Sequence, residues 1–340
     1  MEQILKDLKT LCMASGAAGQ CEIVEACKNL LNGLVDSIEV DAMGNVLAVR
    51  HCGKADAPTI LLEAHLDEIG FLVSYIDDNG FLHVEQAGGV DGRVLTAQPL
   101  IVHGYKTYCG VFGAIPPHLL DDQSAVPPLS KRTIDVGLSA EEAKKNIPLG
   151  SRVTFAPSFS MLNEHVVTAK ALDDRAGIAA ILHCLRKLDK NLSVNVAIAF
   201  CVQEELGCRG SIPAVNKLAP DEAIVVDVSF AATPDANPYE CGKMGQGVMI
   251  GVSAVLNTGI TARLQSLAKE REISQQAEVM GGVTGTDADR ISTALLGVPT
   301  ALLSIPLRYM HTPVETIDVM DVVAVGDLMA AYILDKGAKL

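Results

Sequence analysis

The chain has no Cys-x-x-Cys pair, no excess of basic residues and no long apolar run, and each absence removes a class of function. Its nine cysteines stand at positions 12, 21, 27, 52, 109, 184, 201, 208 and 241, an odd number without paired spacing. Cys184 and Cys201 lie inside apolar runs, so free, buried thiols in a reducing compartment are expected and a disulfide framework is not. With 27 Lys and Arg against 41 Asp and Glu, the formal charge of −14 argues against a nucleic-acid partner, because phosphate contacts need basic surface. Apolar stretches such as Val248 to Leu256 fall well short of the roughly 18 residues of a membrane span. The N-terminal residues Met1 to Lys9 alternate charge with apolar residues at helical spacing and lack the uninterrupted apolar core of a signal peptide, which predicts a cytoplasmic protein with no membrane partner.

What is present is a globular chain of 340 residues, 49% hydrophobic and 20% charged, long enough for one large domain and a smaller one. Residues 1–66 alternate helical and strand patterns, with helical stretches at the start and from Cys21 to Asn32. From Gly70 to Asn163 short strands follow one another between Asp78-Asn79-Gly80 and Gly88-Gly89, the texture of a compact β-rich insertion. Residues 117–132 read as an exposed loop, with Lys131 and Arg132 on a solvated face. The α/β rhythm returns over 164–340, with strands near Val194 to Val202, Ala223 to Val228, Val248 to Gly251 and Pro299 to Ile305. Helices are expected near Ala176 to Leu188, Ile260 to Arg271, Asp287 to Leu296 and Ile317 to Leu334. The fold class is therefore α/β, interrupted in sequence by a β domain.

Chemistry gathers at strand ends. The apolar run Val194 to Phe200 stops at Gln203-Glu204-Glu205-Leu206-Gly207, and the strand Thr59 to Ala64 stops at His65-Leu66-Asp67. Asp173 and Asp174, Asp227 and His311 occupy three comparable places. Each alone reads as a surface acid, a strand-end acid or an ordinary histidine. Together they fall where parallel strands deliver their carboxyl ends, the edge at which open α/β sheets bind ligands. Two His with Asp and Glu make a mixed N/O donor set without thiolates, suited to zinc, cobalt or manganese, and able to hold two ions when one carboxylate bridges them. The segment Gly281-Gly282-Val283-Thr284-Gly285-Thr286-Asp287 lacks the lysine of a phosphate-binding loop, and Thr286-Asp287 are expected to cap a helix.

Five motifs in order then carry a resemblance: His65-Leu66-Asp67-Glu68-Ile69-Gly70, Lys170-Ala171-Leu172-Asp173-Asp174-Arg175-Ala176-Gly177, Gln203-Glu204-Glu205-Leu206-Gly207, Val226-Asp227-Val228 and Arg308-Tyr309-Met310-His311-Thr312-Pro313-Val314-Glu315. They resemble the tetrahedral, or glutamyl-type, dinuclear metallo-aminopeptidases, also labelled cellulase M. The resemblance implies a zinc-peptidase-like α/β/α domain with a mixed sheet over 1–69 and 164–340, and a small β-barrel-like domain over 70–163 that serves assembly. It implies two divalent ions per subunit, zinc first and cobalt or manganese as alternatives. His65 and Asp227 would hold one, Glu205 and His311 the other, and Asp173 would bridge both. Glu204 would be the general base that takes a proton from a bridging water, Asp67 would orient the His65 imidazole, and the Asp173–Asp174 peptide would be cis.

Peptides with a free N-terminus are the implied substrates, and self-association into dimers and then a dodecamer is the implied assembly. Gly245-Gln246-Gly247-Val248 departs from the Gly-Lys-Gly-Pro that the resemblance leads one to expect. Two rivals remain at this point: a dinuclear deacylase or deblocking amidohydrolase using the same ligands, and an inactive scaffold of the same fold.

Overall fold

Strands covered on both faces read as nearly unbroken apolar runs, and four such runs form the centre of this molecule. The computed structural model describes residues 1–17, 21–119, 126–189, 191–234 and 236–338. β1 (Ser37–Val40), β2 (Val46–Arg50) and β3 (Thr59–His65) precede β4 (Gly70–Ile76), β5 (Leu82–Ala87), β6 (Pro99–His103), β7 (Thr107–Phe112), β8 (Ile134–Asp135) and β9 (Arg152–Phe155). They are followed by β10 (Phe159–Met161), β11 (Val166–Ala169), β12 (Asn195–Cys201), β13 (Glu222–Phe230), β14 (Val248–Ser253), β15 (Gln275–Met280), β16 (Thr300–Arg308) and β17 (Glu315–Asp318). The helices are α1 (Glu2–Met13), α2 (Cys21–Leu31), α3 (Ala140–Asn146), α4 (Leu172–Lys187), α5 (Ser211–Leu218), α6 (Thr258–Glu270), α7 (Ala288–Ile291) and α8 (Val319–Ala338).

Eleven strands make one mixed sheet in the order β1-β2-β12-β3-β13-β16-β17-β11-β10, with β14 and β15 attached at β16. β12, β3, β13 and β16 are mutually parallel. β11 runs in their direction too, because β17 is antiparallel to both β16 and β11. Five strands thus point their carboxyl ends at one edge. Alternation along them builds the layers: in β3, Ile60, Leu62 and Ala64 enter a core shared with α1, α2, α4, α6 and α8, whereas Leu61 enters the opposite core with α5 and α7. Truncating a residue such as Leu61 to alanine there would cost about 2–5 kcal/mol.

β4 to β9 close into a barrel, order β4-β5-β8-β7-β6-β9, which leaves no exposed edge strand. Its separate core centres on Phe71, edge-on to Phe112 and Phe155 with ring centroids 5.2 and 5.9 Å away.

Three local expectations change. The helix expected from Asp287 to Leu296 is confined to α7, because the hydroxyls of Ser292 and Thr293 donate to the carbonyls of Asp289 and Arg290 and compete with the helical ladder. Arg132 is buried rather than solvated: its guanidinium donates to Pro127 O, Thr96 Oγ1 and Gly92 O at 3.0, 2.9 and 2.9 Å. In the segment read as a loop, Pro117–Leu119 and Leu129–Lys131 form single 3-10 turns, and residues 120–125 lie outside the described residues. Every cysteine whose side chain is described is free, and among the described residues no helix is long and apolar enough to cross a membrane.

Candidate metal centre

The carboxyl edge of the parallel strands collects all five strand-end motifs. His65 is the last residue of β3, Asp173 lies in the first turn of α4 just past β11, Glu204 and Glu205 follow β12, Asp227 is within β13, and His311 sits in the turn between β16 and β17. These turns are sharp. Ala171, Gln203, Tyr309 and His311 have φ of +57, +61, +62 and +60°, a left-handed conformation uncommon outside glycine and found preferentially at functional sites. The Asp173–Asp174 peptide is cis.

Asp173 occupies the middle. Its Oδ1 is 2.9 Å from His65 Nε2, and its Oδ2 is 3.4 Å from His311 Nε2. His65 Nε2 is also 3.9 Å from Asp227 Oδ1, and His311 Nε2 is 3.3 Å from Glu205 Oε1. The residues therefore divide into His65 with Asp227 on one side and His311 with Glu205 on the other. Glu204 stands apart from these pairs, its Oε1 accepting from Cys208 Sγ at 3.2 Å.

Buried partners fix the groups behind this arrangement. His65 Nδ1 lies 3.2 Å from the Asp67 carbonyl and 3.6 Å from Asp67 Oδ1, so the nearer acceptor that turns Nε2 toward the centre is the backbone oxygen. Asp67 Oδ1 accepts the Glu204 amide at 3.1 Å and links two strand ends. Asp174 accepts the Gly177 amide at 3.0 Å; a Cβ at Gly177 would come within 2.4 Å of its carboxylate and force it to shift. Deeper still, Glu68 receives Lys170 Nζ at 2.9 and 2.7 Å, Arg175 Nη2 at 3.2 Å and the Gly16 amide at 2.7 Å, all within the core.

Electrostatics oppose leaving such a set without cations. Burial pushes the Glu204 carboxyl up to about 7, with Asp287 and Glu205 adding to the shift and His65 and Cys208 opposing it. Burial raises Glu205 as well, and it raises Asp227 far above the carboxylate range with help from Asp174. Hydrogen bonds to Asp173 and Glu205 push His311 up to about 11. Burial opposes ionisation of Asp173, yet hydrogen bonds from His311 and His65 hold it well below its usual range. Protons are thus retained on acids and imidazoles where bound cations would replace them. His65, Asp173 and Glu205 each offer a donor atom within 4.8 Å of the others, a spacing and a chemistry that fit a divalent ion. Asp173, Glu204, Glu205, Asp227 and His311 border a cavity of about 850 Å³ whose other walls include Val228, Phe230, Thr284, Thr286 and Met310.

Four residues were given no place at this site by the sequence. Gly88 and Gly89, after the barrel strand β5, lie against Glu205 and His311: a Cβ on Gly88 (φ +89°) would be 3.2 Å from Glu205 Oε2, and one on Gly89 would be 3.0 Å from His311 Nδ1. The Gly-Gly dipeptide was the available signal, but it reads equally as a turn. Glu315 accepts the amides of both His311 and Asp173, at 2.9 and 3.1 Å. Asp287 takes the N-cap position without a capping bond and is buried beside Glu63 and Cys201, while Thr286 Oγ1 accepts the Ala288 amide instead.

Comparison with known proteins agrees in sequence and in fold. The family profile described as M42 glutamyl aminopeptidase matches residues 44–328. The lysyl aminopeptidase of Pyrococcus furiosus is 35% identical over 300 residues, 86% of each chain. An aminopeptidase of the archaeon Desulfurococcus kamchatkensis superposes with a TM-score of 0.92 at 33% identity, covering 98% of this chain and 95% of the other. The TET1 peptidase of Pyrococcus horikoshii, described as able to assemble into a tetrahedron or a large octahedral shell, gives 0.87 at 31% identity, covering 98% and 99%. A match over this much of the chain, joined to the same α/β sheet with its closed barrel, makes the protein a peptide hydrolase, a metal-dependent aminopeptidase that belongs to the M42 glutamyl aminopeptidase family.

Proposed function

We propose that the chain removes N-terminal residues from peptides at a dinuclear centre in which His65 and Asp227 would hold one ion, Glu205 and His311 would hold the other, and Asp173 would be shared between them. The observation that carries this reading is the placement of Asp173, whose two oxygens face two different histidines at 2.9 and 3.4 Å. The ions, zinc foremost and cobalt or manganese as substitutes, supply Lewis acidity to the attacking water and to the scissile carbonyl, and an anchor for the substrate's free amine. Glu204 is the general base: it lies outside both ligand pairs, is half-buried, and borders the same cavity. It takes the water's proton and hands it to the leaving amine, so that one carboxylate serves both half-steps. Asp67 holds the Glu204 backbone and supports His65.

A panel of aminoacyl chromogenic substrates and their N-acetylated counterparts tests this reading. Hydrolysis of the free-amine compounds alone is the expected result; turnover of the acetylated set would convert the assignment to a deacylase, and no turnover with zinc, cobalt or manganese would leave a scaffold. For assembly, we propose that the 70–163 insertion mediates dimers that build a dodecamer in the cytoplasm. The similarity to the P. horikoshii peptidase supports this, and a mass measurement finding only monomers would refute it.

A further inference from the structure

We infer that Glu315 is the positioning residue that sets the bridging carboxylate against the second histidine, and so fixes the geometry of the dinuclear site. This rests on the metal assignment above and adds to it a residue that touches neither ion. Asp173 and His311 belong to different parts of the chain, one at the start of α4 and the other in the turn before β17. Neither has a regular ladder to hold its backbone. The Asp173 amide is in the first turn of a helix, where N–H groups have no intrahelical partner, and His311 lies in a turn with φ of +60°. Ala171 and Tyr309, two residues before each, are left-handed as well. One carboxylate spans the gap: Glu315 Oε2 accepts the Asp173 amide at 3.1 Å and Oε1 accepts the His311 amide at 2.9 Å.

The carboxylate is itself held. Glu315 opens β17 and pairs with Ala169, the last residue of β11, so it stands directly under the chain that leads into Asp173. It is 2% exposed, and both oxygens are used. A shift of this group would therefore move a bridging ligand and a terminal ligand relative to each other. A residue needed only to satisfy two buried amides would affect folding alone; one that sets ligand geometry also affects how metal is bound.

Glutamine separates these roles. Its amide nitrogen cannot accept, so one of the two backbone N–H groups loses its acceptor and faces a donor. The test uses the full chain, with wild type, Glu315→Gln and Glu315→Asp stripped of metal, checked for folding by circular dichroism, and titrated with cobalt(II) under its visible absorption. Wild type should take up two ions. Glu315→Gln, still folded, should bind cobalt about 10- to 100-fold more weakly, in line with losses seen when partners of metal ligands are removed, and with a changed absorption spectrum. Glu315→Asp, one methylene too short to span both amides, should do the same. Two ions bound by a folded Glu315→Gln with wild-type affinity and spectrum would overturn the role of Glu315 alone. Failure of both metal-free variants to fold would assign the carboxylate to the scaffold and likewise overturn it. A wild-type chain that takes up no cobalt would overturn the metal assignment, and this inference with it.

Discussion

Replacing Glu204 by glutamine isolates the proton-transfer step from everything else in the site. The amide is nearly isosteric, its oxygen still accepts the Cys208 thiol that now lies 3.2 Å from Oε1, and the backbone N–H remains on Asp67 Oδ1 at 3.1 Å. Glu204 belongs to neither histidine–carboxylate pair, so both pairs stay complete. What disappears is, among the described residues, the only carboxylate bordering the cavity that is not committed to a proposed ligand or to the loop around Thr284. General-base contributions of about 10²–10⁴ in rate correspond to roughly 3–5 kcal/mol of transition-state stabilisation. The variant should therefore keep wild-type metal content and melting behaviour while kcat falls by at least about 10²-fold with little change in KM. The assay is steady-state hydrolysis of an aminoacyl chromogenic substrate, with metal quantified in the same sample. A metal-loaded variant retaining more than a tenth of wild-type kcat would refute the role.

The pH dependence has a defined sign. Glu204 must be deprotonated to act and burial pushes it up to about 7, so activity falls as pH drops through its pKa; bound cations pull that pKa down, placing the acid limb of kcat/KM below 7. The limb should vanish from the residual rate of Glu204→Gln, and its persistence would assign it elsewhere. Asp173→Asn, which spoils the carboxylate facing both histidines, should release both ions, whereas Asp227→Asn or Glu205→Gln should release one each, as read by metal analysis after dialysis. Gly89→Val should lower activity without unfolding, because the new side chain meets His311 Nδ1 at 3.0 Å; a wild-type rate would show the barrel loop to be a bystander. Glu68→Gln leaves Lys170 and Arg175 buried without the counter-charge of Glu68, and denaturant unfolding should show a loss of about 3–5 kcal/mol.

Much of this site could be read before the fold, for a physical reason. Parallel strands need unbroken apolar runs, and a charged pair such as Glu204-Glu205 that ends such a run stands out against them. His65 and Asp227, an ordinary histidine and a strand-end acid when read alone, gained weight only beside the other strand-end motifs. The α/β class and the β-rich character of the 70s to the 150s followed from similar periodicities, whereas the mixed sheet was implied only by the resemblance. Less could be read where a residue acts through a tertiary contact. Glu315 was an acid at the end of a short motif, and only the antiparallel pairing of β17 with β11 brings it beneath Asp173. Arg132 looked like a surface charge because nothing local announces the three acceptors that bury it. Asp287 looked like a helix cap, but the sheet places Glu63 beside it and Thr286 takes the cap.

The central claim is that two ions share Asp173, and anomalous diffraction from crystals of the zinc-loaded chain tests it most directly. The account predicts two peaks about 3.5–4 Å apart, one between His65 and Asp227, the other between Glu205 and His311, with Asp173 reaching both. A single peak, or zinc at the buried group of Glu63, Cys201 and Asp287 with none at Asp173, would contradict it.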